Sequence, residues 1–159
     1  MEIDNFLVFH CAPTLAGLKI GALVCVPREQ ETMSYEQMIT SYNECYNWKG
    51  LYFRTLCSCR SRQLLYVYRP HRVEQYLACP KVDAFLQQYG FKKKHSLQQK
   101  LDQLTIHFER DGTFPHELGI FLGYPLADVE AFIKYGGSKA KICGEWKVYT
   151  NMRYAQRLS

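Results

Sequence analysis

Residues 51–70 read LYFRTLCSCRSRQLLYVYRP, and this stretch decides the fold. Two runs rich in β-branched, aromatic and aliphatic residues, 51–59 and 62–69, flank the short link Arg60-Ser61. Runs of this length and composition read as strands, and so short a link reads as a hairpin, although its turn lacks Gly or Asn. Pro70 has no amide proton for a ladder and stops the second strand.

Working outward, IGALVCV (20–26) is a continuous apolar run ahead of Pro27 and reads as a buried strand. Before it, Cys11 to Gly17 reads as a short helical turn, with Pro13 near its start and Gly17 near its end. Ser34 and Gln37 form a capping box, followed by Tyr35, Met38, Ile39, Tyr42 and Tyr46 at helical spacing, which predicts a helix over 35–46. Downstream, 71–78 and 81–89 read as short helices divided by Cys79-Pro80, the second capped by Gly90. Ser96 and Gln99 open a further helix with Leu97, Leu101, Leu104 and Phe108 on one face, ended at Asp111-Gly112. Two more helices, 115–123 and 126–135, hinge at Gly123-Tyr124-Pro125, and EWKVYT (145–150) alternates as a last strand. The order predicts an α+β fold in one domain, 1–159. A small mixed or antiparallel sheet of about four strands packs against several helices, including a helix-turn-helix-like pair at 115–135.

Composition narrows the function classes. The chain has 159 residues, 47% hydrophobic, which excludes general disorder. Seven cysteines are too few for a disulfide scaffold, and the odd count leaves one thiol over. The apolar stretch 6–26 lacks the basic start of a signal peptide, since Glu2 and Asp4 precede it. A membrane span there would have to hold His10, Pro13, Gly17, Lys19 and Gly21. The expectation is a cytosolic protein with reduced thiols and no membrane segment. Net charge is +5, with basic spots at Arg60/Arg62, Arg69/His71/Arg72 and Lys92–Lys94 with His95. Such spots are solvated loops or anion contacts.

PHELGIFLGYPLADVEAFIKYG (115–136) fits a helix-turn-helix template, with Gly123 at the turn. DNA binding does not follow from it: the second helix opens with Leu126, Ala127, Asp128, Glu130 and Ala131, whose carboxylates repel a polyanion. Cys11 stands just before Pro13 and a helical turn, where the helix dipole favours the thiolate. The plainer alternative is a buried structural cysteine. His116-Glu117 opens a helix and could serve a thiol as base and orienter, or simply complement the dipole. Cys57-x-Cys59 places two thiols on one strand face, with no second pair at zinc spacing. Cys79-Pro80 resembles the short Cys-Pro element that ligates haem iron, a nonspecific dipeptide. Phosphate-binding glycine loops and the serine elbow are absent. Trp146-Lys147-Val148-Tyr149 is an aromatic strand, either cross-strand packing or one wall of a pocket.

HCAPTLAGLK (10–19), LLYVYRP (64–70), FPHELGIFLGYPLADVEAFI (114–133) and CGEWKVY (143–149) together resemble, in the same order, the hallmark stretches of an uncharacterised bacterial domain-of-unknown-function family, family 3793. Glu145 stands where an aromatic residue is more usual there. Members carry a further C-terminal helix, so the resemblance implies that Ser159 ends a short member or a trimmed chain. No reaction is established for that family, and the cofactor stays unknown. The resemblance marks as hallmarks Cys11 with Pro13, Thr14, Gly17 and Lys19, then Tyr68, Arg69, His116, Glu117, Gly123, Tyr124, Trp146, Lys147 and Tyr149.

A hallmark set rich in thiol, imidazole, carboxylate and cationic groups points to a site rather than a scaffold. The leading expectation is a pocket with Cys11 as thiolate nucleophile or redox centre, His116 as base and Glu117 as orienter. His10, Lys19, Arg69, Tyr124, Trp146, Lys147 and Tyr149 would line it for a small anionic ligand. The alternative from another class is a non-catalytic binding or adaptor module for a protein partner or ligand. Its two-helix motif and aromatic strand would recognise, and its polar hallmarks would be caps. A third reading is metal or haem handling through Cys11 and His116. Whether the chain is an enzyme stays open at this point.

Overall fold

The structure, a computed structural model, describes residues 19–27, 35–58, 62–111 and 113–135. The elements are β1 (Gly21–Pro27), α1 (Tyr35–Tyr46), a 3-10 turn (Asn47–Lys49), β2 (Tyr52–Ser58), β3 (Arg62–Tyr68), α2 (Pro70–Leu77), α3 (Pro80–Gln87), α4 (Leu97–Asp111), α5 (Leu118–Phe121) and α6 (Leu126–Lys134). The fold is α+β, as the element order predicts. The helical turn at 11–17, the Ser34 cap, the Arg60-Ser61 link and the strand at 145–150 lie outside the described residues.

Among the described residues the sheet has three strands in the order β1-β3-β2, both pairings antiparallel. The predicted hairpin partners are therefore neighbours, and β3 is central. A central strand covered on both faces must be apolar throughout, which is why LLYVY is unbroken. Gln63 through Tyr68 are all buried. Leu64, Tyr66 and Tyr68 face a large core built with α2 to α6, while Leu65 and Val67 face α1 with Val24, Val26, Phe53, Tyr35 and Met38.

Strict alternation fails in β2. Thr55 opposes Leu65 and Cys57 opposes Leu64, so Leu56 is an extra residue. A bulge shifts the two-residue period by one and turns later side chains to the other face. Before it, Phe53 faces α1, and Arg54 reaches across to α4, where its guanidinium meets Asp102 and donates to Gln98 Oε1 at 2.9 Å. After it, Leu56 and Cys57 enter the larger core. The open edge of β2 is closed locally by Asn43: its amide donates to the Phe53 carbonyl at 3.0 Å and accepts from the Phe53 N–H at 2.9 Å.

The Ser96–Gln99 capping box forms in both directions. The Ser96 N–H donates to Gln99 Oε1 at 2.8 Å, and the Gln99 N–H donates to Ser96 Oγ at 3.2 Å. The predicted stripe Leu97, Leu101, Leu104 and Phe108 is buried along α4. The helix read over 115–123 is a single turn, Leu118–Phe121, so the helix-turn-helix-like pair has a much shorter first member than the template predicts. Residues 115–118 are spent on a tight turn, with the Leu118 N–H on the Pro115 carbonyl at 3.1 Å. At the other end the Gly123 N–H bonds Ile120 O at 3.0 Å and the Tyr124 N–H bonds Gly119 O at 3.0 Å. That pair of bonds is a Schellman ending, and it needs the left-handed Gly123 (φ 87°).

This ending rests on the start of β1. A Cβ on Gly21 would lie 2.7 Å from the Phe121 carbonyl oxygen and 2.9 Å from the Tyr66 hydroxyl. The two groups meet there, because Tyr66 donates to that carbonyl. Gly21→Ala is therefore expected to cost about 1–3 kcal/mol in urea unfolding, as backbone and an aromatic ring must move apart. Ser96→Ala, which deletes only a cap, should cost about 1 kcal/mol.

Candidate functional site

Of the candidate residues that the structure describes, Lys19 and Tyr124 meet at that junction. Lys19 precedes β1 and places Nζ 5.2 Å from the centre of the Tyr124 ring, a cation–π contact. The Tyr124 carbonyl accepts from the Tyr76 hydroxyl at 2.7 Å, which ties the turn to α2. Arg69 joins the junction through its backbone, donating to Ile20 O at 2.9 Å, but its guanidinium turns to the α1 side and reaches the Lys49 carbonyl at 3.5 Å. Lys19 and Arg69 thus share a junction and present their charges in different directions.

His116 and Glu117 also diverge. His116 is half-buried, its ring edge-on to Phe132 of α6 at 6.1 Å. Glu117 is 2% exposed and its carboxylate is bonded to His107 Nδ1. His107, 4% exposed, has its Nε2 3.0 Å from the Gln103 side-chain amide one turn earlier in α4. With that amide donating, His107 carries its proton on Nδ1 and gives it to the carboxylate. Phe91 closes the ring from the side at 5.2 Å. This is the arrangement by which a carboxylate orients a catalytic imidazole, but here the nitrogen that would act as base is occupied and enclosed. The Glu117 charge also reaches Tyr89: burial first, and that carboxylate second, push the Tyr89 phenol above its ordinary value.

Sequence reasoning missed His107. Its signal was present, since position 107 follows Leu104 by three residues and adjoins Phe108, on the flank of the buried stripe. A polar residue there has to find a partner in the core.

The described thiols divide by exposure. Cys25 and Cys57 are buried, Cys45 and Cys79 exposed, and none of the four forms a disulfide. Cys25 and Cys57 both oppose Leu64, one from each side of β3. They stand two strand spacings apart, about 10 Å, too far for a disulfide. Burial, and then the Glu109 charge, push the Cys57 thiol up, so it is not a ready thiolate. Cys79 precedes α3 and its thiol donates to the Gln75 carbonyl at 3.6 Å. Among the described residues no three His, Cys, Asp or Glu side chains are grouped to hold a metal, and no helix is long and apolar enough to cross a membrane. Cys11, His10, Trp146, Lys147, Tyr149 and Cys59 lie outside the described residues.

Two clefts of about 400 and 250 Å³ open between α2 and the start of α4, sharing Glu74, Ser96 and Leu97. Neither is lined by Lys19, Arg69, His116, Glu117 or Tyr124.

Fold and junction define an α+β protein whose acidic hallmark is a core residue paired with a buried histidine. The chain belongs to the family described as protein of unknown function (DUF3793), whose profile matches residues 7–159. Comparison with curated proteins and with solved structures finds no match.

Two outcomes test this geometry. Glu117→Ala should cost about 1–3 kcal/mol in urea unfolding, because it leaves the buried His107 Nδ1–H without its acceptor, while Glu117→Gln, which keeps an acceptor for Nδ1–H, should cost less. Tyr66 and Tyr68 stack at 4.5 Å, and burial raises both phenols, Tyr66 far above its ordinary range. The folded state keeps these protons where the unfolded chain releases them. Their stabilising contribution is whole below about pH 10 and falls as pH rises beyond it. Urea midpoints measured from pH 8 to 11 should drop steeply, and Tyr66→Phe should flatten the drop.

Proposed function

We propose that this protein is a non-catalytic binding module, and that the junction of β1 with the Gly123–Tyr124 turn is its recognition end. One observation carries the reading: the Glu117 carboxylate is spent inside the core on His107. The acidic hallmark is then structural, and His116 has no orienter in Glu117. The junction also holds a cation on an aromatic ring, half-buried Lys19 over buried Tyr124. That pair suits an anionic group, on a small ligand or on a partner protein. The unbridged thiols and the odd cysteine count support a cytosolic setting.

The competing reading makes Cys11 a thiolate nucleophile with His116 as base. Iodoacetamide labelling of the full chain across pH, resolved by peptide mass spectrometry, separates the two. The module reading expects Cys11 to react with an ordinary pKa near about 8.5, unchanged in His116→Ala. A Cys11 pKa below about 7.5 that rises in His116→Ala would overturn it in favour of cysteine chemistry.

A further inference from the structure

The crevice between α2 and α4 unites two basic spots that are far apart in sequence. His71 opens one cleft, and Lys93 with His95 lines the other, joined by Lys100. Glu74 is common to both clefts, and Asp83, whose carboxylate accepts from the Gln87 side-chain amide at 2.7 Å, lines the Lys93 side. The floor is apolar, with Leu77 and Leu97 both buried. Among the described residues the ion pairs are Arg54–Asp102 and His107–Glu117, and none of Glu74, Asp83, Lys93, His95 or Lys100 has an opposite charge within 4.0 Å.

A cleft that holds both signs apart is complementary to a ligand that also carries both. A simple anion would meet Glu74 and Asp83, and a simple cation would meet Lys93 and Lys100. The start of α4 adds no anion site of its own, since Ser96 is consumed by the capping box. Tyr52 and Pro70 line one cleft, Lys93 and Lys100 line the other, and Glu74 lines both. We propose that this crevice binds a short peptide with free termini. An apolar first side chain lies against Tyr52 and Pro70, the α-ammonium meets Glu74, and the terminal carboxylate meets Lys93 and Lys100. The combined space is of the size that small-molecule sites occupy, about 300–1,000 Å³. The site is separate from the Lys19–Tyr124 junction and stands whether or not that junction binds anything.

The test is a two-dimensional amide NMR titration of the full chain with the dipeptide Phe-Gly. N-acetyl-Phe-Gly lacks the ammonium, and Phe-Gly amide lacks the carboxylate. Phe-Gly should give saturable shifts at Glu74, Leu97 and Lys100, and each blocked peptide should bind at least about tenfold more weakly, the scale of one lost charged hydrogen bond. Glu74→Gln should weaken Phe-Gly by the same factor yet leave N-acetyl-Phe-Gly unchanged. The double change Lys93→Gln/Lys100→Gln should do the same with respect to Phe-Gly amide. These side chains lie at the surface, so an unaltered spectrum elsewhere certifies the fold. No saturable shift with a Kd of about 10 mM or tighter, or equal binding by the N-acetyl peptide, would overturn the proposal.

Discussion

The bond from the Tyr66 hydroxyl to the Phe121 carbonyl joins the central strand to the end of the short helix Leu118–Phe121. It can form only because Gly21 leaves a notch in β1. The phenol comes from the middle of the sheet, the notch from its edge strand, and the carbonyl from the end of a one-turn helix. Gly123 then closes on Ile20, whose Cγ1 a Cβ would approach to 2.9 Å. Three segments distant in sequence are thereby held at one point. The contact of Lys19 with Tyr124 is a consequence of that packing rather than a cause of it.

The second buried polar element, Gln103–His107–Glu117, fastens α4 to the same turn. Both nitrogens of the His107 ring have a neighbour of the right kind, which is the condition for keeping such a group in a core. The two devices together explain why FPHELGIFLGYP mixes polar and apolar residues so closely. Glu117 and the Phe121 backbone face inward to partners, Gly123 supplies the left-handed ending, and Tyr124 is buried beneath Lys19.

The sequence made some of this legible and hid the rest, for physical reasons. LLYVY could be read as a fully buried strand because a two-faced environment demands an unbroken apolar run. The Ser96–Gln99 cap could be read because it is local. The Leu56 bulge could not, since it exists only in the register with β3. The helix expected over 115–123 shrank to one turn because tertiary packing against Gly21 and Ile20, not helical periodicity, sets where the chain turns. Among the candidate residues, Lys19 and Tyr124 come together, while His116 and Glu117 separate because adjacent side chains in a tight turn point apart. His107 was hidden by its position on the flank of an otherwise apolar stripe. The α2–α4 crevice was half visible: its basic spots could be read, but the carboxylates between them become neighbours only in the fold.

The central claim is that Glu117 orients a closed, structural imidazole. Long-range proton–nitrogen NMR of the His107 side chain tests it directly. The account predicts the tautomer with the proton on Nδ1, protected from solvent exchange, and a scalar or through-space connection from Nε2 to the Gln103 amide. A His107 ring protonated on Nε2 alone, or one whose proton exchanges as fast as that of an exposed histidine, would contradict it.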